Sequence, residues 1–555
     1  MQGIDAVVAN VTNSGTIIGS AFGGIFAATT NVTNSGTISG GFNGIFALTA
    51  DVANTGFISG GFDGIVANVA NVTNSGTILG GLRGINVDFP TITNSGTISG
   101  GIGIIVTNGA ANVTNSGRII GTGGTAIQFA GNADRVTLLP GSRIVGAIDM
   151  GGGADVVNFT AGRDIAWLVT LSNFTGTING SGNAPFMIVG NQIATLDPTS
   201  FAMADRALMD FTRGISSVIA SRSGEIASPG SGAPVAFAPQ DDIAMRFEEA
   251  FASLPGLNAY AGDALVFKSP TMVAQDGTAI WARGFLGHRV QEAGDATVRA
   301  TSDYAGGTIG IDRSVSSDLR LGAFIGGGAS RVEIGQEAGD TKSDMMFGGV
   351  FGRWNFGASF VDFALHGGYS RNEGKRPVAN NLAPAGLETA AASYDGWYLS
   401  PELGFGMPFW LGAEYTLTPE ARLRYVGASF DGYSETGSAA NLTVESRNIH
   451  DFEERFDLKL TRTQAFVTGG MLLTNLHVGA LGLHRLGDTT VNTILLGANL
   501  PFATPGGDNV AGLIAGGGFE WRTKEGLSIF GATEYIAMSD SSSVIHGKAG
   551  LRVVF

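Results

Sequence analysis

The 555-residue chain contains no cysteine. Disulfides and thiolate metal sites are therefore excluded, and a chain without cross-links has nothing to jam a narrow pore during passage. Charge is scarce as well: 14% of the residues are charged and the formal net charge is −15. That balance argues against nucleic acid and anionic lipid headgroups as partners. Proline is infrequent at 16 residues while glycine reaches 87, and 44% of the chain is apolar. A disordered chain would be poorer in apolar residues. No apolar run is long enough for a transmembrane helix, so the apolar content must belong to a large core or to strands alternating toward lipid. At this length two or more structural units are expected. No signal peptide is legible at the start. "MQGIDAVVAN" aligns instead with the middle of a repeat, which gives the expectation that the sequence opens inside an array.

What the sequence does have is repetition. "NVTNSGTISG" at 31–40 returns as "DVANTGFISG" at 51–60, "NVTNSGTILG" at 71–80 and "TITNSGTISG" at 91–100. Asn13, Asn34, Asn54, Asn74, Asn94 and Asn115 hold one repeat position at intervals of 20 or 21 residues, and a Gly-Ile pair recurs between most of them. Each period holds three short β-prone pieces and shows no helical period. The pattern predicts a right-handed parallel β-helix with one coil per repeat, isoleucine and valine stacked inside, and the asparagines stacked as a ladder at one corner. The glycine after the ladder position is expected to take a positive φ. At about 4.8 Å per coil, the clear repeats make a rod roughly 29 Å long.

Competing readings of this region are weaker. The Asn-Val-Thr sequons follow from the repetition itself. From 1 to 130 only Asp5, Asp51, Asp63, Arg83, Asp88 and Arg118 are charged. No two acids share a repeat position, so paired-carboxylate catalysis is not expected there. The period decays after 125. Terminal coils must close a solenoid's core, so 130–195 is read as the capping section of a β-helical region spanning 1–195. Gly153-Ala154-Asp155 echoes a calcium-binding nonapeptide, but in one copy and with Met150 where a glycine belongs. No metal and no cofactor is expected.

Residues 196–277 read as helix and linker. Asp197 is a candidate N-cap, Pro198 the first helical residue and Gly224 a stop. Ala204, Ala207, Leu208, Phe211, Ile215, Val218 and Ile219 form one apolar stripe, with Asp205, Arg206, Asp210, Arg213 and Arg222 elsewhere. A linker at 223–240 and a second short helix at 241–254 follow. From 278 to 555 hydropathy alternates with period two in twelve segments separated by polar turns. In the closing "HGKAGLRVVF", Leu551, Val553 and Phe555 face one way while Lys548, Gly550 and Arg552 face the other. An even number of antiparallel strands is what a closed outer-membrane barrel requires. Arg283, Arg313, Arg320, Lys548 and Arg552 are the candidates to line its lumen. Asn380-Asn381 reads as a turn. The six histidines show no ligand spacing and no Gly-x-Ser-x-Gly stretch occurs, so the chain is not expected to be an enzyme.

Together with the "NSGTISG" units and the helix-bearing linker, "AIWARGFLGHRV", "YAGGTIGIDRSVSSDLRLGAFIGGG" and the closing "GLRVVF" resemble an autotransporter of the type V secretion family. The resemblance implies an all-β chain: a β-helical passenger, then a twelve-stranded antiparallel transmembrane barrel with a helix in its lumen. The helix at 198–222 is favoured for that place over 241–254. It further implies an outer-membrane location in a Gram-negative cell, export of the passenger through the barrel, and display on the surface as an adhesin or stalk. The implied partners are outer-membrane lipid, periplasmic chaperones, an unidentified surface ligand, and the barrel-assembly machinery reading Leu551, Val553 and Phe555. A monomer is expected, and release of the passenger is not. The competing expectation is a surface-anchored polysaccharide-degrading enzyme or peptidase whose catalytic region lies outside this chain.

Overall fold

A computed structural model describes residues 3–223, 272–273, 278–466, 470–523 and 527–553. The repeats wind as a parallel β-helix, each coil in register with the next. Ile25, Ile45, Ile65, Ile85 and Ile104 stack along one wall. Val32, Val52, Val72, Ile92 and Val113 stack along a second, and Ile38, Ile58, Ile78, Ile98 and Ile119 along a third. All of these are buried. Each contributes roughly 1.5–3 kcal/mol of burial, which is why the walls demand the same residue type in every coil.

The asparagines form the ladder. Nδ2 of Asn13 donates to Oδ1 of Asn34 at 2.8 Å, and the same 2.8 Å bond links Asn34 to Asn54, Asn54 to Asn74, Asn74 to Asn94 and Asn94 to Asn115. Each amide also reaches the carbonyl of the glycine two residues on, as from Asn54 to Gly56 at 3.2 Å. The ladder stops at Asn115 because its partner in the next coil is Leu138.

The corner glycine corrects the sequence expectation. Gly36, Gly56, Gly76, Gly96 and Gly117 are not among the positive-φ residues. Their need for glycine is packing: a Cβ on Gly56 would run into the carbonyl of Gly36, and one on Gly76 into that of Gly56. The coils approach too closely at this corner for any side chain, so a packing limit and not a dihedral limit sets the residue.

Toward its end the rod changes character. Strand Ala166–Ser172 still stacks in parallel on Arg143–Asp149, but Gln192–Thr195 pairs with it antiparallel and Phe186–Val189 completes a hairpin. Met150, at the position where the calcium repeat has glycine, is a buried core residue. Among the described residues no group of three candidate ligands could hold a metal.

The capping section buries two stacked acids. Asp134 Oδ1 accepts from Ala111 N at 2.7 Å and Asp155 Oδ1 from Asp134 N at 3.0 Å, while both second oxygens lack a partner. Burial pushes the Asp134 carboxyl up to about 6, and the neighbouring Asp155 charge adds to the rise. Burial moves Asp155 in the same direction. A carboxyl whose folded value is raised binds its proton more tightly in the folded state, so it favours folding most at acid pH and loses that contribution as pH rises from about 4 toward 6. The β-helix should therefore resist urea better at pH 4.5 than at pH 7.5. Asp134→Asn, which keeps the acceptor oxygen, should flatten this dependence when unfolding is followed by circular dichroism.

Helix α1 spans Thr199–Ser223, and Asp197 Oδ1 accepts from Thr199 N at 3.1 Å to cap it. The linker at 223–240, apart from Ser223, and the candidate helix at 241–254 lie outside the described residues. Twelve long antiparallel strands follow among the described residues: β1 (Thr278–Gln291), β2 (Ala300–Ser314), β3 (Leu319–Ile334), β4 (Gly339–Phe356), β5 (Ser359–Asn380), β6 (Glu388–Gly406), β7 (Tyr415–Phe430), β8 (Arg447–Ala465), β9 (Met471–Arg485), β10 (Asn509–Arg522), β11 (Leu527–Met538) and β12 (Ser542–Val553). Each pairs with the next, and β12 pairs back onto β1 from Gln291↔Ser542 to Ala282↔Leu551, so the sheet closes. Outward residues such as Ile309, Ile325, Met346, Val350, Leu476 and Leu513 are apolar and exposed. Trp354, Phe356 and Phe405 ring the short-turn end, and Tyr369 against Trp397 marks the opposite girdle. A belt of this kind is solvated by hydrocarbon, not water.

Candidate functional site

The bore of the barrel holds α1. Its apolar stripe meets an aromatic wall: Phe211 packs edge-on against Phe285 and Phe347, with ring centroids 5.3 and 5.7 Å apart. Leu208, Ile215, Val218 and Ile219 join Trp281, Tyr304, Phe324 and Phe351 in one buried cluster. Gly214, costly in a helix interior by about 1 kcal/mol, is explained here, because a Cβ would run into the Phe285 ring.

The polar side of α1 is buried too, and it is paired along its length. Near the long-loop mouth Asp205 meets Arg447 at 3.0 Å, and Arg206 donates to Gly507 O at 3.2 Å. At mid-bore Asp210 accepts from Arg289 at 2.6 and 3.0 Å and from Arg213 at 2.6 Å. Arg213 also donates to Glu453 at 2.6 Å, a carboxylate shared with Arg424 at 2.9 Å. At the short-turn end Arg222 grips Asp312 at 2.6 and 3.0 Å, a cation in the last turn where the helix dipole favours it. An amphipathic pattern that would mean a half-wet helix elsewhere here means one surrounded by protein, with the wall supplying counter-charges in place of water.

The sequence candidates fall in different places. Arg283 is in the lumen, 2.6 Å from Ser221 Oγ, and Lys548 Nζ donates to Ser217 O at 2.9 Å. Arg320 lies 3.4 Å from Asp312 and so touches the Arg222 pair from the wall side. Arg313 is a correction. It is exposed and shares the outward parity of Ile309 and Ile311, so it faces away from the bore near the short-turn end. The side chains of Arg552 and Val553, and all of Phe555, lie outside the described residues; Leu551 sits on the seam, opposite Ala282 and Ile529. The strongest wall partners, Arg289, Asp312, Arg424 and Glu453, were missed. Parity held the signal: Arg289 is six residues from Arg283 on the same strand and must share its face.

Comparison with known proteins is decisive for the barrel. Residues 280–534 match the autotransporter beta-domain family. The barrel is an autotransporter beta-domain. Over 188 residues, a third of the chain (33%), it is 29% identical to outer membrane protein A of Rickettsia rickettsii. It is 25% identical over 288 residues, 49% of the chain, to the adhesin BmaC autotransporter of Brucella suis biovar 1. The chain spans only 8% of the length of each of these two relatives. Among solved structures it is similar to the translocator domain of autotransporter NalP from Neisseria meningitidis, at 18% identity, a TM-score of 0.39, and coverage of 55% of this chain and 96% of that one. The barrel sits in the outer membrane, with the passenger on the cell surface. The short turns accordingly face the periplasm and the long loops the outside.

Proposed function

We propose that the β-helix serves outside the cell as an adhesive stalk with no catalytic role, carried there through its own barrel. The observation that carries this is a ridge on the rod. Phe22, Phe42 and Phe62 stack at centroid separations of 6.0 and 4.9 Å, Leu82 continues the row, and these side chains are 43–62% exposed. Nothing in coil packing needs large apolar groups on an outside corner, and a repeated exposed apolar row on a surface protein marks a contact site. A Brucella relative is named as an adhesin, which agrees. The ridge is expected to hold an unidentified surface ligand, and assembly of the barrel is expected to use periplasmic chaperones and the assembly machinery, read through Leu551, Val553 and Phe555.

Cells displaying the full chain should adhere to host cells or matrix-coated plates better than cells displaying a Phe22→Ser/Phe42→Ser/Phe62→Ser variant, by several-fold at equal surface amounts. Equal adhesion by the two would remove the ridge from the account, and hydrolysis of a polysaccharide or peptide at the cell surface would favour the enzyme reading.

A further inference from the structure

The outward face of β3, β4 and β5 does not pass from hydrocarbon to water in one step. Tyr369 of β5, against Trp397 of β6, marks the outer girdle, and at its level β4 carries Met346 and β3 carries Gly327. Three further outward rows stand above it, since residues two apart on a strand share a face. The first holds Asp344 and Arg371, with Asp395 of β6 alongside. The second holds Arg331, Lys342 and Glu373, and the third Glu333, Asp340 and Lys375. They lie about 7, 13 and 20 Å along the strands from the girdle. With the tilt of a barrel strand, the first two rows fall in the headgroup layer.

Charges of opposite sign are the favourable partners across a strand pair, and like charges directly opposite are unfavourable. Two pairs here break that rule. Arg331 stands directly opposite Lys342, and one row higher Glu333 stands directly opposite Asp340. Cations lie nearer the membrane and acids above them, so the face calls for counter-ions of both signs in that order. The protein supplies few. Arg331 Nε is 3.1 Å from Glu333 Oε1 on its own strand, while Asp303, beside Arg331 on β2, is held at 2.7 Å by His288. Lys342 and Arg371 are exposed and form no ion pair among the described residues. Below the cations the wall is bare. Gly327, Gly348 and Gly367 take outward positions among the exposed Ile325, Met346 and Leu365, leaving a shallow strip along which an acyl chain can lie.

We propose that this face of β3–β5 is a docking surface for a phosphorylated glycolipid of the outer leaflet. A lipid phosphate sits against Arg331, Lys342 and Arg371, and a divalent cation that bridges lipid phosphates is held by Glu333 and Asp340 above. Both like-charge pairs then acquire their counter-ions, and charge-assisted hydrogen bonds from the guanidinium groups fix the phosphate. The lipid, and not free phosphate, is the occupant because the cations stand directly over the hydrocarbon belt, where headgroups and chains arrive together. The net charge of −15 argues against anionic headgroups for the chain as a whole, but docking answers to the charge of one face.

The test uses purified full-length protein in detergent with magnesium present, titrated with bis-phosphorylated lipid A and with the same lipid stripped of its phosphates, bound copies being counted by native mass spectrometry. The wild type should hold the phosphorylated form roughly fivefold or more tightly than the stripped form. Arg331→Gln/Lys342→Gln should lose that preference, whereas Arg462→Gln, an outward cation at the short-turn end, should keep it. Chelating magnesium should weaken binding to the wild type and leave Glu333→Gln/Asp340→Asn unaffected. Equal binding of the two lipids by the wild type would overturn the proposal with no variant needed. So would an unchanged preference in Arg331→Gln/Lys342→Gln whose barrel is shown to be assembled by heat-modifiable migration. Displacement of the lipid by inorganic phosphate at equal concentration would overturn the choice of a lipid as occupant.

Discussion

Asp210→Ala should open the pore. The residue is fully buried at mid-bore, where it accepts from both Arg289 and Arg213. Arg213 would retain Glu453, but Arg289 would keep only a hydroxyl contact to Ser542 at 2.7 Å and the Met538 sulfur at 3.7 Å. A guanidinium left in a dry bore without a counter-charge costs about 3–5 kcal/mol. The least costly escape is for α1 to leave and let water reach Arg289. Purified full-length protein in planar bilayers should then pass from a nearly closed state to a conductance of open-pore size for much of the recording time. Replacing both partners, as in Asp210→Leu/Arg289→Met, should restore closure at least in part, because two neutral side chains leave no stranded charge. Equal conductance in wild type and Asp210→Ala would mean that the aromatic packing around Phe211 holds the helix unaided.

How much of this was legible beforehand depends on what each residue answers to. The β-helix was written plainly, since a stacked coil repeats its corner residues and Asn34 or Ile38 has the same task at every turn. The barrel strands were legible where their outward side faces hydrocarbon, because lipid enforces strict alternation. That rule also sets where the pattern stops being informative. The apolar outward face of β5 is interrupted at Arg371, whereas the strand runs to Asn380. Above the membrane nothing requires alternation, and the pairing of Val378 with Ala166 depends on a partner 212 residues away that no local pattern announces. Lumen charges were partly legible for a related reason. Parity tells which side a residue faces, as it does for Arg283 and would have done for Arg313, but which of many inward charges meets the helix depends on its depth in the bore. The corner glycines show the opposite limit. Their position was evident from repetition, and the cause assigned to it was wrong, since a conserved place in a repeat does not say whether the backbone angle or the neighbouring coil demands it.

The second large effect concerns the ladder. Asn74→Ala removes the acceptor of Asn54 Nδ2 and the donor to Asn94 Oδ1, both buried, together with the bonds from Asn74 to Gly76 O and Thr97 O. Leaving buried polar groups unpaired costs roughly 1–3 kcal/mol each, and a stacked array transmits the loss because each coil is stabilised chiefly by its neighbours. A destabilisation of about 3–4 kcal/mol is expected, concentrated between the coils on either side of residue 74. Asn115→Ala should cost about half as much: Asn115 is the last rung, accepts from Asn94 alone, and faces Leu138 in the coil beyond. Hydrogen exchange read by mass spectrometry separates the two, with protection lost across strands Asp63–Asn74 and Arg83–Asn94 in the first variant and near residue 115 in the second. The asymmetry is the informative part. If the amides only filled space at the corner, alanine would leave a similar cavity at either position and the two losses would match. A bonded ladder instead makes an interior rung worth two connections and a terminal rung one, so the position along the rod, and not the residue removed, sets the size of the effect.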